Sequence, residues 1–208
     1  MKKTSVWQLM FGEKQVILHM DLKNEDPGFS AMQNVKRRFF ALRNGIVADT
    51  LRRAGDPHRI IFGLTLPQLA EIASSLTGNT DALADDLWDN RSTRESRLLA
   101  PMLMAHRQVN VDKATEMFLD VMCIEEADIL CHRLLRHLPF AMDLIELNRN
   151  SGNPLTRYTA LRLMLNIVST NPHRAMQIAQ DELERNDTYT RRIAMQLADE
   201  TDFIINGC

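Results

Sequence analysis

Residues 81–104 read DALADDLWDNRSTRESRLLAPMLM, and their pattern decides the fold class. Leu83, Leu87 and Trp88 recur at i, i+4 and i+5, which predicts a helix with one apolar stripe. Asp81, Asp85, Asp86 and Asp89 lie on its other face, with no basic residue among them. A turn is predicted at Asn90. Ser92 with Glu95 three positions later fits a capping box, in which each side chain satisfies the other residue's backbone N–H. Leu98, Leu99, Met102 and Leu103 form the stripe of a second helix whose other side carries Arg94 and Arg97. The stretch is an acidic helix, a tight turn and a helix opened by arginines.

The start of that second helix recurs. Asn90-Arg-Ser-Thr93-Arg94 returns as Asn153-Pro-Leu-Thr156-Arg157 and as Asp187-Thr-Tyr-Thr190-Arg191, at spacings of 63 and then 34 residues. A degenerate copy without Thr-Arg is expected near Glu125, where Glu125-Glu126-Ala127-Asp128 opens a helix. Paired helices repeating every ~30–45 residues are the signature of an α-solenoid, because one pair cannot bury its own apolar face. The expected fold is therefore all-α, a superhelix of stacked antiparallel pairs forming one domain over residues 1–208, with the pairs beginning at about residue 79.

Composition agrees. Leu, Ala, Met, Arg and the acids prevail over Gly and Pro among the 208 residues, which favours helix. A net charge of −2 argues against indiscriminate coating of nucleic acid while leaving room for a local basic groove. Three cysteines without a paired framework suit a reducing cytoplasm, and no apolar run approaches the ~20 residues of a membrane span.

Along the chain, residues 1–28 are the least defined. Val6–Met20 suggests a helix interrupted by Gly12. A long helix is expected from Ser30 to about Ala54, ended by Gly55-Asp-Pro57. An apolar loop, Ile60 to Pro67, leads into a helix over Gln68–Leu76. Later pairs are expected at Val111–Met122 with Glu125–Leu138, Phe140–Asn148 with Pro154–Ser169, and Pro172–Arg185 with Thr188–Ile205. Pro154 and Pro172 suit first helical positions. Pro101 falls inside a helix and predicts a kink. Asp199, Glu200 and Asp202 suggest a polar terminal surface.

The order Phe62-Gly-Leu-x-Leu-Pro67-Gln-Leu, then Leu87-Trp88, then Arg94-Glu95-x-Arg97-x-Leu-Ala100 resembles the HEAT-like DNA alkylation repair glycosylases, over roughly residues 30–170. The resemblance implies a curved helical solenoid that holds duplex DNA on a concave, basic side. It also implies excision of cationic alkylpurines by an aspartate and tryptophans, without metal or organic cofactor. The family's aspartate matches Asp128, whereas its tryptophan positions fall at Ile124 and Leu155. The only tryptophans are Trp7 and Trp88, and Trp88 sits on an apolar stripe expected in the core. An acid without aromatic neighbours lacks the cation–π attraction that holds a cationic base. Excision is therefore expected to be weak or lost.

The competing reading of Asp128 is an ordinary helix-face acid paired with His132 at i+4, worth ~0.2–0.5 kcal/mol. Cys123, Cys131, His132 and His137 match no usual zinc spacing, so no metal site is expected. The repeated arginines carry a sharper signal, since a cation at a helix N-terminus opposes the macrodipole. Stacked in register, Arg94, Arg157 and Arg191, with Arg97 beside them, would form a phosphate-binding row. Otherwise each pairs with an acid of an adjacent repeat, such as Asp85, Asp143 or Glu146. Two function classes follow: a duplex-DNA-binding repair protein, or a noncatalytic scaffold that takes a protein or peptide in its concave groove.

Overall fold

The computed structural model describes residues 28–207, so the Val6–Met20 segment and Trp7 lie outside the described residues. Those residues form eleven α-helices joined by short turns, with a single isolated bridge between Ile60 and Thr93 in place of any sheet. They divide into two compact units, one ending at Ala100 and the other starting at Pro101.

In the first unit the expected long helix is two helices, α1 (Ala31–Ala41) and α2 (Gly45–Arg53). The break has a local cause. The Asn44 side chain accepts from the backbone N–H groups of Ile46 and Val47, capping α2. Its own N–H donates to the Phe62 carbonyl at 2.8 Å, so it is lost to helix continuation. The dipeptide Asn44-Gly45 is itself a turn signal. Helices α3 (Leu66–Ser75), α4 (Asp81–Asp89) and α5 (Arg94–Leu103) follow, around a core that includes Val35, Phe39, Leu69, Ile72, Leu87, Trp88, Leu98 and Leu99.

Helix α5 departs from the amphipathic expectation, because every residue from Thr93 to Pro101 is buried. The predicted capping box does not form; a larger demand displaces it. Glu95 is fully buried, and a buried carboxylate must be hydrogen-bonded. It accepts the backbone N–H groups of Phe62, Gly63 and Leu64 at 3.0, 2.9 and 3.3 Å. Arg94 adds a guanidinium bond at 3.0 Å. Three consecutive loop donors that no helix or strand uses are thus satisfied by one side chain. Backbone bonds from Ile60 N–H to Ser92 O (2.8 Å) and from Arg94 N–H to Ile60 O (3.1 Å) lock the same loop to the start of α5. Gly63 adopts φ +80°, and a Cβ there would lie 2.3 Å from the Asn44 carbonyl oxygen, so the loop and the start of α2 approach too closely for any other residue. Helix α5 continues through Pro101 to Leu103, and the proline has no N–H to offer the Arg97 carbonyl one turn before it.

The second unit contains α6 (Val111–Leu119), α7 (Ile124–Arg133), α8 (Ala141–Asn148), α9 (Pro154–Asn166), α10 (Pro172–Arg185) and α11 (Arg191–Asn206). Helices α7 and α9 stop short of the expected ends, and their last residues tighten into 3-10 turns at Leu135–His137 and Val168–Thr170. Pro154 and Pro172 occupy first helical positions, with Asn153 and Asn171 accepting backbone N–H groups as caps. The Cys131 thiol donates to Thr159 O, and His132 meets Asn166. Asp128 meets Tyr158. The pairings advance together along both helices, so α7 and α9 are parallel neighbours. Helix α9 is buried from Thr156 to Leu161 and again at Leu163 and Met164, as befits the centre of this unit. The end of α11 is mixed rather than polar, exposing Phe203, Ile204 and Ile205 beside Asp199, Glu200 and Asp202.

Replacing Glu95 with alanine removes the acceptor of three loop N–H groups and of one guanidinium N–H in a buried place, and should cost about 3–5 kcal/mol. Gly63→Ala should cost at least the ~1–3 kcal/mol of a strained backbone, plus its clash. Guanidinium chloride unfolding measures both; losses below ~1 kcal/mol in the two variants would remove the loop clamp as the anchor of this unit.

Candidate functional site

Three of the four arginines expected to bind phosphate are engaged inside the protein. Arg94 is 4% exposed and donates to Leu64 O as well as to Glu95. Arg97 is fully buried, with its guanidinium carbon 3.6 Å from the Trp88 ring centroid and a 2.8 Å bond to Trp88 O. It satisfies a carbonyl in the last turn of α4 that the helix leaves open, and a desolvated cation–π contact of this kind is worth ~2 kcal/mol. Trp88 is accordingly core. Arg157 is 7% exposed. It donates to Glu182 (3.0 Å) and Ser151 O (2.8 Å) and pairs with Asp187. These acids are not the ones anticipated; Glu146 instead binds Arg149 and Arg174. Arg191 alone of the four is exposed, with one bond to the Asn186 side chain at 2.9 Å.

Asp128 lies half-buried on the face of α7 turned to α9. The Tyr158 hydroxyl donates to its Oδ1 at 2.9 Å. Arg162 Nε sits 2.9 Å from the same oxygen as an ion pair, although that N–H does not aim at it and finds no hydrogen-bond acceptor. Burial raises the Asp128 pKa above its ordinary value, and Glu125 adds to the rise, while Arg162 and the Tyr158 bond oppose it. Burial and the Asp128 charge push the Tyr158 hydroxyl up, and burial keeps Cys131 a thiol. The i+4 pair with His132 does not form, because His132 turns to Asn166 (3.4 Å) and Arg136 (3.3 Å).

Two partners of the acid were missed by sequence reading. Tyr158 and Arg162 stand 30 and 34 positions away in sequence, and only the packing of α7 on α9 brings them to Asp128. The available signal was their own i, i+4 spacing on one helix face. The two tyrosines of the chain also meet here, Tyr189 packing edge-on against Tyr158 at 6.4 Å. Ile124, one turn before Asp128, is 40% exposed, and Leu155 is half-buried in the first turn of α9.

The sequence from residue 35 to residue 206 matches the family described as DNA alkylation repair enzyme. The chain belongs to this family. No curated protein and no solved structure matches it. Among the described residues no helix is long and apolar enough to cross a membrane. Asp128, Tyr158 and Arg162 thus bring a half-buried carboxylate, a phenol and a guanidinium together within residues 35–206.

The raised pKa of Asp128 carries a sign that can be tested. The folded protein holds the proton more tightly than the unfolded chain, so ionisation of Asp128 lowers stability as pH rises from its ordinary value, 3.8, through the folded value. Asp128→Asn should therefore be at least as stable as the wild type at neutral pH, with its relative advantage shrinking on acidification. Thermal midpoints of both proteins across the carboxylate range measure this, and a variant clearly less stable at neutral pH would contradict it.

Proposed function

We propose that this protein is a cytoplasmic, duplex-DNA-binding member of the alkylation repair family whose alkylpurine glycosylase activity is weak or lost. In this reading the chain is a single HEAT-like solenoid in which helix pairs stack, with DNA on the concave side. The parallel packing of α7 on α9 supports it, as does the packing of α9 on α11. Second helices of successive pairs must lie in this way for neighbouring repeats to share a core.

The observation that carries the activity reading is the state of Asp128. A carboxylate stabilises a developing sugar cation through its field in a preorganised, water-poor site. Here Arg162 already compensates that charge at 2.9 Å, and the positions where the resemblance expects tryptophans read Ile124 and Leu155. Loss of aromatic positioning alone removes several kcal/mol from what a site can contribute to a barrier. The chemistry implied needs no metal or organic cofactor. Asp128 is the proposed acid, and Arg162 and Tyr158 hold it in place.

Of the four arginines, Arg191 is the one that reaches a phosphate without abandoning buried partners. Arg94, Arg97 and Arg157 would have to leave theirs, so their contribution to DNA binding is through the fold. A protein or peptide partner is the second reading, and the exposed Met195, Phe203 and Ile204 of α11 favour it.

Release of methylated purines from alkylated duplex DNA should be slight or absent for the wild type and for Asp128→Asn alike. Robust release that collapses in the variant would overturn the loss of activity. Arg191→Gln should flatten the slope of log K against log salt for an unmodified duplex by about 0.9; an unchanged slope would remove Arg191 from the interface.

A further inference from the structure

Just beyond Asp128, where α7 ends, basic side chains collect without acidic partners. His132 and Arg133 close α7, Arg136 and His137 occupy the 3-10 turn after it, and His106 and Arg107 come from the 3-10 turn His106–Gln108. All six are exposed. The His106 and His137 rings stack, with centroids 4.5 Å apart and planes 17° from parallel. Arg136 Nε donates to His137 Nε2 at 3.3 Å, and its Nη1 lies 3.3 Å from His132 Nδ1. His106 Nε2 lies 3.3 Å from Arg133 O. Among the described residues, none of the three arginines has a carboxylate within ion-pair distance.

Dipole compensation explains only part of this. A cation in the last turn of a helix is favourable by ~0.3–1 kcal/mol, which accounts for His132 and Arg133. It does not account for two stacked imidazoles with a guanidinium spanning two imidazoles.

On α7 and α8 the acids meet other groups, apart from the exposed Asp143. On α7, Asp128 is held by Tyr158 and Arg162, and Glu126 accepts the Met122 N–H. Glu125 acts on Asp128. On α8, Glu146 binds Arg149 and Arg174, and Asp143 is exposed. On α9, Arg157 is taken by Glu182 and Asp187, and Arg162 by Asp128. Burial and then the charges of His106, Arg136 and His132 all hold the His137 pKa below its ordinary value. No carboxylate opposes them.

We propose that His106, His137, Arg136 and His132 form a phosphate-type oxyanion site that binds more tightly as pH falls. An oxyanion at the N–H edges of the stacked rings supplies the countercharge that two stacked imidazolium groups lack. Arg136 can then turn its fork from the imidazoles to the anion, the geometry guanidinium uses for phosphate. Binding takes up protons, because each imidazole that accepts from Arg136 becomes a donor when protonated. His132 stands one turn after Asp128 on α7, about 6 Å further along the axis. A phosphate here would lie beside any nucleotide placed at Asp128. The site nevertheless stands on its own geometry, whether the oxyanion is free phosphate or the phosphodiester of DNA.

The experiment is a proton NMR titration of the histidine rings in sodium phosphate and in sodium chloride at equal ionic strength. The apparent pKa values of His106 and His137 should rise, saturably, in phosphate alone. Phosphate should bind about tenfold tighter near pH 5.5 than near pH 8. The exposed double variant His106→Asn/His137→Asn should keep its circular dichroism spectrum and lose this affinity gain. Adding an unmodified DNA duplex separates the sources: ring shifts with duplex as well as phosphate assign the site to the DNA backbone, and shifts with phosphate alone assign it to the free anion. Equal shifts in chloride and phosphate, or a double variant that binds phosphate as tightly as the wild type, would overturn the site. A duplex that fails to bind while phosphate still shifts the rings would count against DNA binding and leave the site intact.

Discussion

A carboxylate sealed away from water has to be met by donors, and in the first unit that requirement organises everything around Glu95. Three successive loop N–H groups and one guanidinium converge on it. The loop that supplies them must then bend through a left-handed residue, Gly63, and press against the start of α2. That pressure takes the Asn44 N–H for the Phe62 carbonyl and splits a helix that hydrophobic periodicity alone would have continued. The residues Phe62-Gly-Leu and Arg94-Glu95 that carry the family resemblance are thus two halves of one hydrogen-bonded clamp. In this chain they speak for architecture rather than for chemistry.

The repeated Thr-Arg helix start has an analogous explanation in the second unit. A cation at a helix N-terminus is locally unfavourable, yet Arg157 is fixed there by Glu182 from α10 and Asp187 from the turn before α11. Glu182 is itself 3% exposed and also accepts the Thr190 hydroxyl. The arginine of one helix start is therefore tied to the aspartate of the next. The Arg191 guanidinium has no carboxylate tie of this kind among the described residues and donates to Asn186, so the same motif is core in one copy and surface in another.

Helix identities and most of their limits were legible from apolar spacing, capping residues and prolines, since those signals act within a few residues. Burial of polar groups was not. Glu95, Arg97 and Arg157 resemble surface residues in sequence, because charge is normally solvated, and only the enclosure of α5 and α9 on all sides reverses that expectation. The same limit applies at the candidate site. The resemblance proposes Asp128 as the acid, and Ile124 and Leu155 as the positions where its aromatics are expected. Tyr158 and Arg162 come to it across the packing of α7 on α9, which their i, i+4 spacing alone does not specify, and Tyr189 packs on Tyr158 behind them.

Chemical labelling follows a division between two cysteines of the second unit. Cys131 is buried, donates its thiol proton to Thr159 O and is held far from ionisation, so it offers little thiolate to an electrophile. Cys123 is partly exposed and sits at the N-cap of α7, immediately before Ile124. Of the two, a maleimide fluorophore or nitroxide goes to Cys123, and it reports from a position little more than one helical turn before Asp128. The native chain thereby carries its own attachment point for watching the candidate site.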